Sequence, residues 1–146
     1  MGSGNGIVMQ FIWPVRVYYE DTDAGGVVYH SQYLNYMERA RTEWLRSLGL
    51  AQTEMRDEFG VVFVVRQMQL EFRKPARFDD ALQVTTALSQ RSAASLKFKQ
   101  QILRADEVLI SAEVEVVCVA LEKFKPARIP VSMQSRLQSI PLINQA

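Results

Sequence analysis

Tyr19-Glu20-Asp21-Thr22-Asp23-Ala24-Gly25-Gly26-Val27-Val28-Tyr29-His30-Ser31 joins two stretches of different periodicity, and it gathers acids, a glycine pair and the chain's only histidine into one connection. Before it, Phe11 to Tyr19 is rich in aromatic and β-branched residues and predicts a strand. Val15, Val17 and Tyr19 would share one face, and Pro14 is tolerable only near the start or on an edge. After it, Tyr33, Tyr36, Met37, Ala40, Trp44, Leu45 and Leu48 recur at three- and four-residue spacing, the stripe of a helix that faces a core. Glu38, Arg39, Arg41, Glu43 and Arg46 supply the polar side, with Arg39 and Glu43, and Glu38 and Arg41, spaced for weak ion pairs. Ser31 is the expected N-cap and Gly49 the expected stop, a helix of about four to five turns. Position 34 is Leu, so the reciprocal capping box is missing and the first N–H groups are left to a ligand or to water.

Further along, Ala51 to Phe59 has weak helical character. After Gly60, the run Val61 to Val65 and the alternation of Met68, Leu70 and Phe72 with polar residues predict a strand, which the basic loop Arg73-Lys74-Pro75-Ala76-Arg77-Phe78-Asp79-Asp80 ends. Leu82, Val84, Thr86 and Leu88 form the next alternation, and Leu96, Phe98 and Ile102 the one after, with a turn over Gln90 to Ala93. Val108 to Leu121 is the last long strand. Lys125 to Pro130 ends regular structure, save for one short helix around Ser132 to Leu137. One strand, a long helix and four antiparallel strands make an α+β domain. One helix stripe cannot cover both faces of such a sheet, so the sheet wraps round the helix, and its remaining edges or faces are expected to be buried in an oligomer.

Composition narrows the function. Seventeen basic against sixteen acidic residues leave a net charge of +1, which argues against gripping nucleic acid by bulk electrostatics. A single cysteine, Cys118, makes no internal disulfide, and with one histidine no Cys/His zinc cluster can be built. The chain suits a reducing, cytoplasmic compartment. No apolar run reaches the roughly 20 residues of a membrane-spanning helix. Residues 1–8 read as a disordered extension, in part a cloning remnant, and 9–146 as one domain.

The junction carries the chemistry. A carboxylate beside a helix N-terminus is placed to attack a carbonyl or to activate water, while free N–H groups stabilise the oxyanion. Asp21 and Asp23 both qualify, and both also fit as turn or helix caps. His30 is a candidate base or a structural histidine; a metal site from Asp21, Asp23 and His30 lacks a recognised ligand spacing. Tyr19, Tyr29 and Tyr33 are pocket or core aromatics, and Arg73, Lys74, Arg77 and Arg91 are solvated charges or phosphate contacts.

Val15-Arg16-Val17-Tyr18-Tyr19-Glu20-Asp21-Thr22-Asp23-Ala24-Gly25-Gly26-Val27-Val28-Tyr29-His30, followed by Tyr33 and by Glu38-Arg39-Ala40-Arg41-Thr42-Glu43, resembles the hotdog-fold acyl-CoA thioesterases of the 4-hydroxybenzoyl-CoA thioesterase class, within them the YbgC group associated with the Tol-Pal cell-envelope system. The resemblance extends through Phe72-Arg73-Lys74-Pro75-Ala76-Arg77 and the final strands. It implies a five-stranded antiparallel sheet wrapped around one long central helix, and hydrolysis of acyl-CoA to a carboxylic acid and CoA without cofactor or metal. It implies Asp23 as the catalytic nucleophile or general base and the backbone N–H of His30 as the group facing the thioester carbonyl. Asp21 would stabilise the turn. Gly25, Gly26, Val28, Tyr29 and Tyr33 would bind substrate around the carbonyl, and Arg73, Lys74, Arg77 and Arg91 the nucleotide end of CoA. In other hotdog branches the catalytic acid lies on the helix, where this chain has Glu38 and Glu43. The implied partners are acyl-CoA, acyl carrier protein and further copies of the chain, as a dimer or a dimer of dimers, with no membrane insertion and a location that extends to the inner-membrane surface. A non-catalytic module that binds acyl carrier protein or envelope proteins is the competing reading, and a hotdog dehydratase a weaker one.

Overall fold

The computed structural model describes residues 10–143, so the extension expected at 1–8 lies outside the described residues. The order is β1 (Phe11–Arg16), α1 (His30–Ser47), α2 (Gln52–Glu54, running into a π turn at Met55–Phe59), β2 (Val61–Phe72), β3 (Ala81–Arg91), β4 (Ser95–Arg104), β5 (Glu107–Ala120), β6 (Lys125–Pro126) and α3 (Val131–Gln138). The sheet is antiparallel in the order β1-β3-β4-β5-β2. The two-residue β6, in a segment expected to be irregular, joins β5 at Val119 and Ala120, beyond the point where β4 leaves it. The hotdog arrangement expected from the resemblance is therefore present, with α2 and α3 added beside the central helix.

The periodic residues pack as their spacing dictates. Tyr33, Tyr36, Met37, Ala40, Trp44 and Leu45 of α1 are buried in one core with Leu82, Val84 and Leu88 of β3, Leu96, Phe98 and Ile102 of β4, and Ala112, Val114 and Val116 of β5. Trp44 meets Phe98 edge-on with ring centroids 5.2 Å apart. Gly49 takes φ 78°, a left-handed turn that ends the helix at little cost to a residue without Cβ. Its carbonyl accepts a 2.8 Å hydrogen bond from Arg136 Nη1, which ties the end of α1 to α3. Among the described residues no helix is long and apolar enough to cross a membrane.

Four details differ from the expectation. The first strand stops at Arg16, and Tyr19 turns outward to 75 % exposure in a short 3-10 turn, Tyr19–Asp21, because Asp21 pulls the backbone out of line. The helix begins at His30, not after Ser31, with Tyr29 in the N-cap position and no side chain capping it. The ion pair on the helix surface is Arg46 with Glu43 at 3.2 Å. Arg41, read as surface, is buried beneath the helix, where Nη1 donates to Gln100 Oε1 at 2.9 Å.

Candidate active site

Two anchors set the approach to the junction. Val17 N–H donates to the Asp80 carbonyl at 3.0 Å, and Asp79 N–H returns a bond to the Val17 carbonyl at 2.9 Å, so the end of β1 is fastened to the loop before β3. Asp21 then folds inward to 7 % exposure. Its Oδ2 accepts from Tyr18 N–H at 2.9 Å and from the Tyr36 hydroxyl at 2.8 Å, and its Oδ1 from Gln32 Nε2 at 2.9 Å. Its carbonyl accepts from Tyr29 N–H at 3.1 Å. Burial, and then the adjacent Asp21 carboxylate, push the Tyr36 phenol up from its ordinary value, so it stays a donor. The acid that looked like a candidate catalyst is thus consumed in holding the 3-10 turn against the first turns of α1.

Asp23 has the opposite environment. A tight loop closes behind it, with Asp23 N–H donating to the Val27 carbonyl at 2.9 Å and Gly26 N–H to the Asp23 carbonyl at 3.0 Å. Gly26 sits at φ 81°, a conformation glycine adopts without strain. The half-buried side chain accepts two hydrogen bonds, both at Oδ1, from Gly25 N–H at 2.8 Å and from Val27 N–H at 3.5 Å. Oδ2 has no hydrogen-bond partner among the described residues. Gly25 also leaves room for Oδ1, since a Cβ there would sit 3.2 Å from that oxygen of Asp23. Gly25→Ala is accordingly expected to displace the carboxylate and lower kcat by about tenfold, since small misplacements of a reacting group are costly. Kinetics beside a thermal melt check this, with the melt nearly unmoved.

Val28 leads into the helix, its N–H donating to the Ala76 carbonyl at 2.9 Å. At the start of α1 the N–H groups of His30 and Ser31 have no partner among the described residues, and the positive end of the helix faces outward there. A cavity of about 220 Å³ opens at this point, walled by Val27, Val28, His30, Tyr33, Phe72 and the Arg73–Pro75 loop. The Phe72 ring, read from sequence only as a strand apolar residue, lies edge-on to His30 at 4.7 Å and tilted against Tyr33 at 5.8 Å. Tyr33 is held by a 2.9 Å bond from Ala76 N–H to its hydroxyl. Burial raises its phenol above the ordinary value, against that bond and Arg104, and the Asp80 and Asp23 charges push the same way.

The structure brings Val28, His30 and Tyr33 to the cavity wall, while Asp23, Gly25 and Gly26 lie in the loop before it and do not line it, and Tyr29 is 52 % exposed. Among the basic candidates, Arg73 and Lys74 line the cavity but are engaged by Glu71 and Glu107 respectively. Arg77 is exposed, bridges Val27 through its backbone, and has no side-chain partner among the described residues. Arg91 is set apart at the opposite end of β3, roughly 30 Å along the strand from Ala81. There its Nη1 donates to the Leu137 and Ile140 carbonyls at 3.1 and 2.5 Å, at the C-terminus of α3. Arg91→Ala should thus cost about 1–2 kcal/mol of stability in denaturant titration. Among the described residues no three His, Cys, Asp or Glu side chains are grouped to hold a metal ion.

Residues 17–137 match the thioesterase-like superfamily model. The chain is 51% identical over 124 residues to the acyl-CoA thioester hydrolase YbgC of Escherichia coli O157:H7, covering 84% of this chain and 92% of that protein. It is 45% identical over 125 residues to the acyl-CoA thioesterase YbgC of Haemophilus influenzae, covering 86% and 92%. Among solved structures, a probable thioesterase from Bartonella henselae superposes with a TM-score of 0.79 at 38% identity, covering 83% of this chain and 99% of that one.

Proposed function

Because this chain belongs to the thioesterase-like superfamily, we propose that it hydrolyses acyl-CoA thioesters at the junction of the 3-10 turn and α1, with Asp23 as the reacting carboxylate. The observation that carries this reading is a half-buried carboxylate whose Oδ2 is unengaged, in the loop that runs through Val27 and Val28 into a helix start with two unpartnered N–H groups, beside a cavity that Val27, Val28 and His30 wall. The thioester carbonyl oxygen accepts from His30 N–H, and the imidazole ring serves the site by walling the cavity against Phe72. As negative charge builds on that oxygen, a fixed donor at the positive end of α1 favours the tetrahedral species over the ground state. Asp23 acts in one of two ways. As base, it takes a proton from water while the water oxygen bonds to the carbonyl carbon, then returns the proton to the CoA sulfur as the C–S bond breaks. As nucleophile, it forms a mixed anhydride and expels the thiolate, and water then opens the anhydride at the Asp23 Cγ, so that the acid leaves with an oxygen that came from Asp23. A single turnover in isotopically labelled water separates them, because the first product carries solvent oxygen only on the base route.

At the nucleotide end, Arg77 is the cation with most freedom to meet phosphate, with Arg73 and Lys74 able to do so by exchanging their present carboxylate partners. The working unit is a dimer or a dimer of dimers in which the free edges of two β2 strands pair. A twelve-residue strand at the end of the sheet, paired on one side only with β5, and Val65 at 48 % and Phe72 at 44 % exposure support this. Acyl carrier protein, which presents a thioester on the same kind of arm, is the second donor. A thiol-release assay over acyl-CoAs of graded length and aromaticity, with sedimentation to fix the assembly, tests the reading. Release of free thiol is the expected result; stoichiometric capture of acyl carrier protein with no turnover would favour a binding module instead.

A further inference from the structure

A second and larger cavity, of about 490 Å³, lies in the furrow between α1 and β2, within the range of small-molecule sites. Its walls are mostly apolar, from Leu34 and Leu45 of α1 to Phe63, Val65 and Met68 of β2. The smaller cavity at the start of α1 opens in the same furrow, at the His30–Phe72 end, so an acyl chain attached to a thioester there has this apolar space ahead of it along the helix.

Set in that wall is a cation. Arg41 is 7 % exposed, and its only hydrogen bond among the described residues runs from Nη1 to the neutral Gln100 Oε1 at 2.9 Å. Gln100 is itself immobilised, since its Nε2 donates to the Met37 carbonyl at 3.1 Å and to Thr86 Oγ1 at 2.9 Å. A guanidinium has five N–H donors, and a buried charge without a counter-charge is costly, so such a group is kept only where something repays it. Burial lowers the Arg41 pKa to about 10, with Glu38 opposing, and the side chain remains a cation at neutral pH. Glu38 also lines the cavity, one turn back, but it is exposed and makes no ion pair with Arg41 among the described residues.

Position along the helix sets the distance. A helical side chain leans toward the N-terminus, and the bond from Gln100 to the Met37 carbonyl places the Arg41 head near that level. Met37 is seven residues past His30 in α1, about 10 Å at the usual helical rise. Resting on the acyl-CoA reading above, we propose that Arg41 receives an anionic group at the far end of the acyl chain, which makes thioesters of medium-chain dicarboxylic acids preferred substrates. The planar fork meets a terminal carboxylate with its unused donors, and the apolar walls take the methylenes between.

The test compares suberoyl-CoA with octanoyl-CoA, equal in length and different only at the far end. The wild-type ratio of kcat/KM should favour suberoyl-CoA by about tenfold, the size of one charge-assisted hydrogen bond made in place of none. In Arg41→Met the ratio should fall to about one, and in Arg41→Lys, which keeps the charge without the fork, it should stay between the two. Binding of the same two thioesters to Asp23→Asn protein, measured by calorimetry, reads the site apart from turnover and should show the same tenfold preference. Equal wild-type kcat/KM values for the two with equal affinities in Asp23→Asn, or an unchanged ratio in Arg41→Met, would overturn the proposal. A preserved binding preference with no thiol release from either thioester would uphold the site and overturn the hydrolase reading. Should Arg41→Met fail to fold, the wild-type ratio and the Arg41→Lys variant still decide.

Discussion

Asp23→Asn is expected to lower kcat by about two to four orders of magnitude, the usual worth of a positioned proton-transfer group, and to leave the fold in place. Asn keeps an oxygen to accept from Gly25 N–H, now at 2.8 Å, so the loop through Gly26 retains its closure. What the substitution removes is the negative charge on the unengaged oxygen, which neither hydrogen-bonds nor pairs with a cation among the described residues. Binding should be nearly unaffected, because the donors at the helix start and the cavity walls are untouched. A variant that releases thiol from acyl-CoA within about threefold of the wild-type rate would remove Asp23 from the mechanism and turn attention to Glu38 and Glu43 on α1.

Asp21→Ala has the contrasting effect, a loss of about 3 kcal/mol in stability. Three donors meet on that carboxylate from three places: the Tyr18 backbone, the Tyr36 hydroxyl and the Gln32 amide. Removing it leaves the buried Tyr36 hydroxyl without an acceptor and frees the 3-10 turn from α1. For a domain of this length the melting temperature should fall by roughly 5–12 °C. Tyr36→Phe, which removes one of the three bonds and leaves a carboxylate still met by two donors, should cost about 1 kcal/mol. Denaturant titration of the three proteins checks the order. If Asp21→Ala melted like the wild type and yet failed to turn over, the roles assigned to the two aspartates would have to be exchanged.

The two aspartates show where sequence stops. They stand two apart in one polar turn, and nothing local distinguishes a cap from a catalyst. Tyr36, fifteen residues on, and Gln32, eleven residues on, reach back to Asp21 and to no oxygen of Asp23. The family resemblance points to Asp23; the packing of α1 against the turn shows only that Asp21 is the one engaged in the fold. Arg41 and Arg91 fell outside local reading for the same cause, as their partners are 59 residues away at Gln100 and 46 and 49 residues away at Leu137 and Ile140. A cation on a helix is placed on the polar face by default, and only a strand from the other half of the chain can draw it under.

The sequence by itself determined the element order, the inward stripe of α1, the strand alternations and the glycine-bearing turn. These follow from periods of 3.6 and 2 and from local backbone preference, which act between near neighbours and so are written in the residues themselves. Only the tertiary structure decided which carboxylate is spent on the fold and which is left unengaged, which cations are tied down, and which ring walls the cavity. Those outcomes depend on desolvation and hydrogen-bond partners brought together across the sheet, and no spacing along the chain records them.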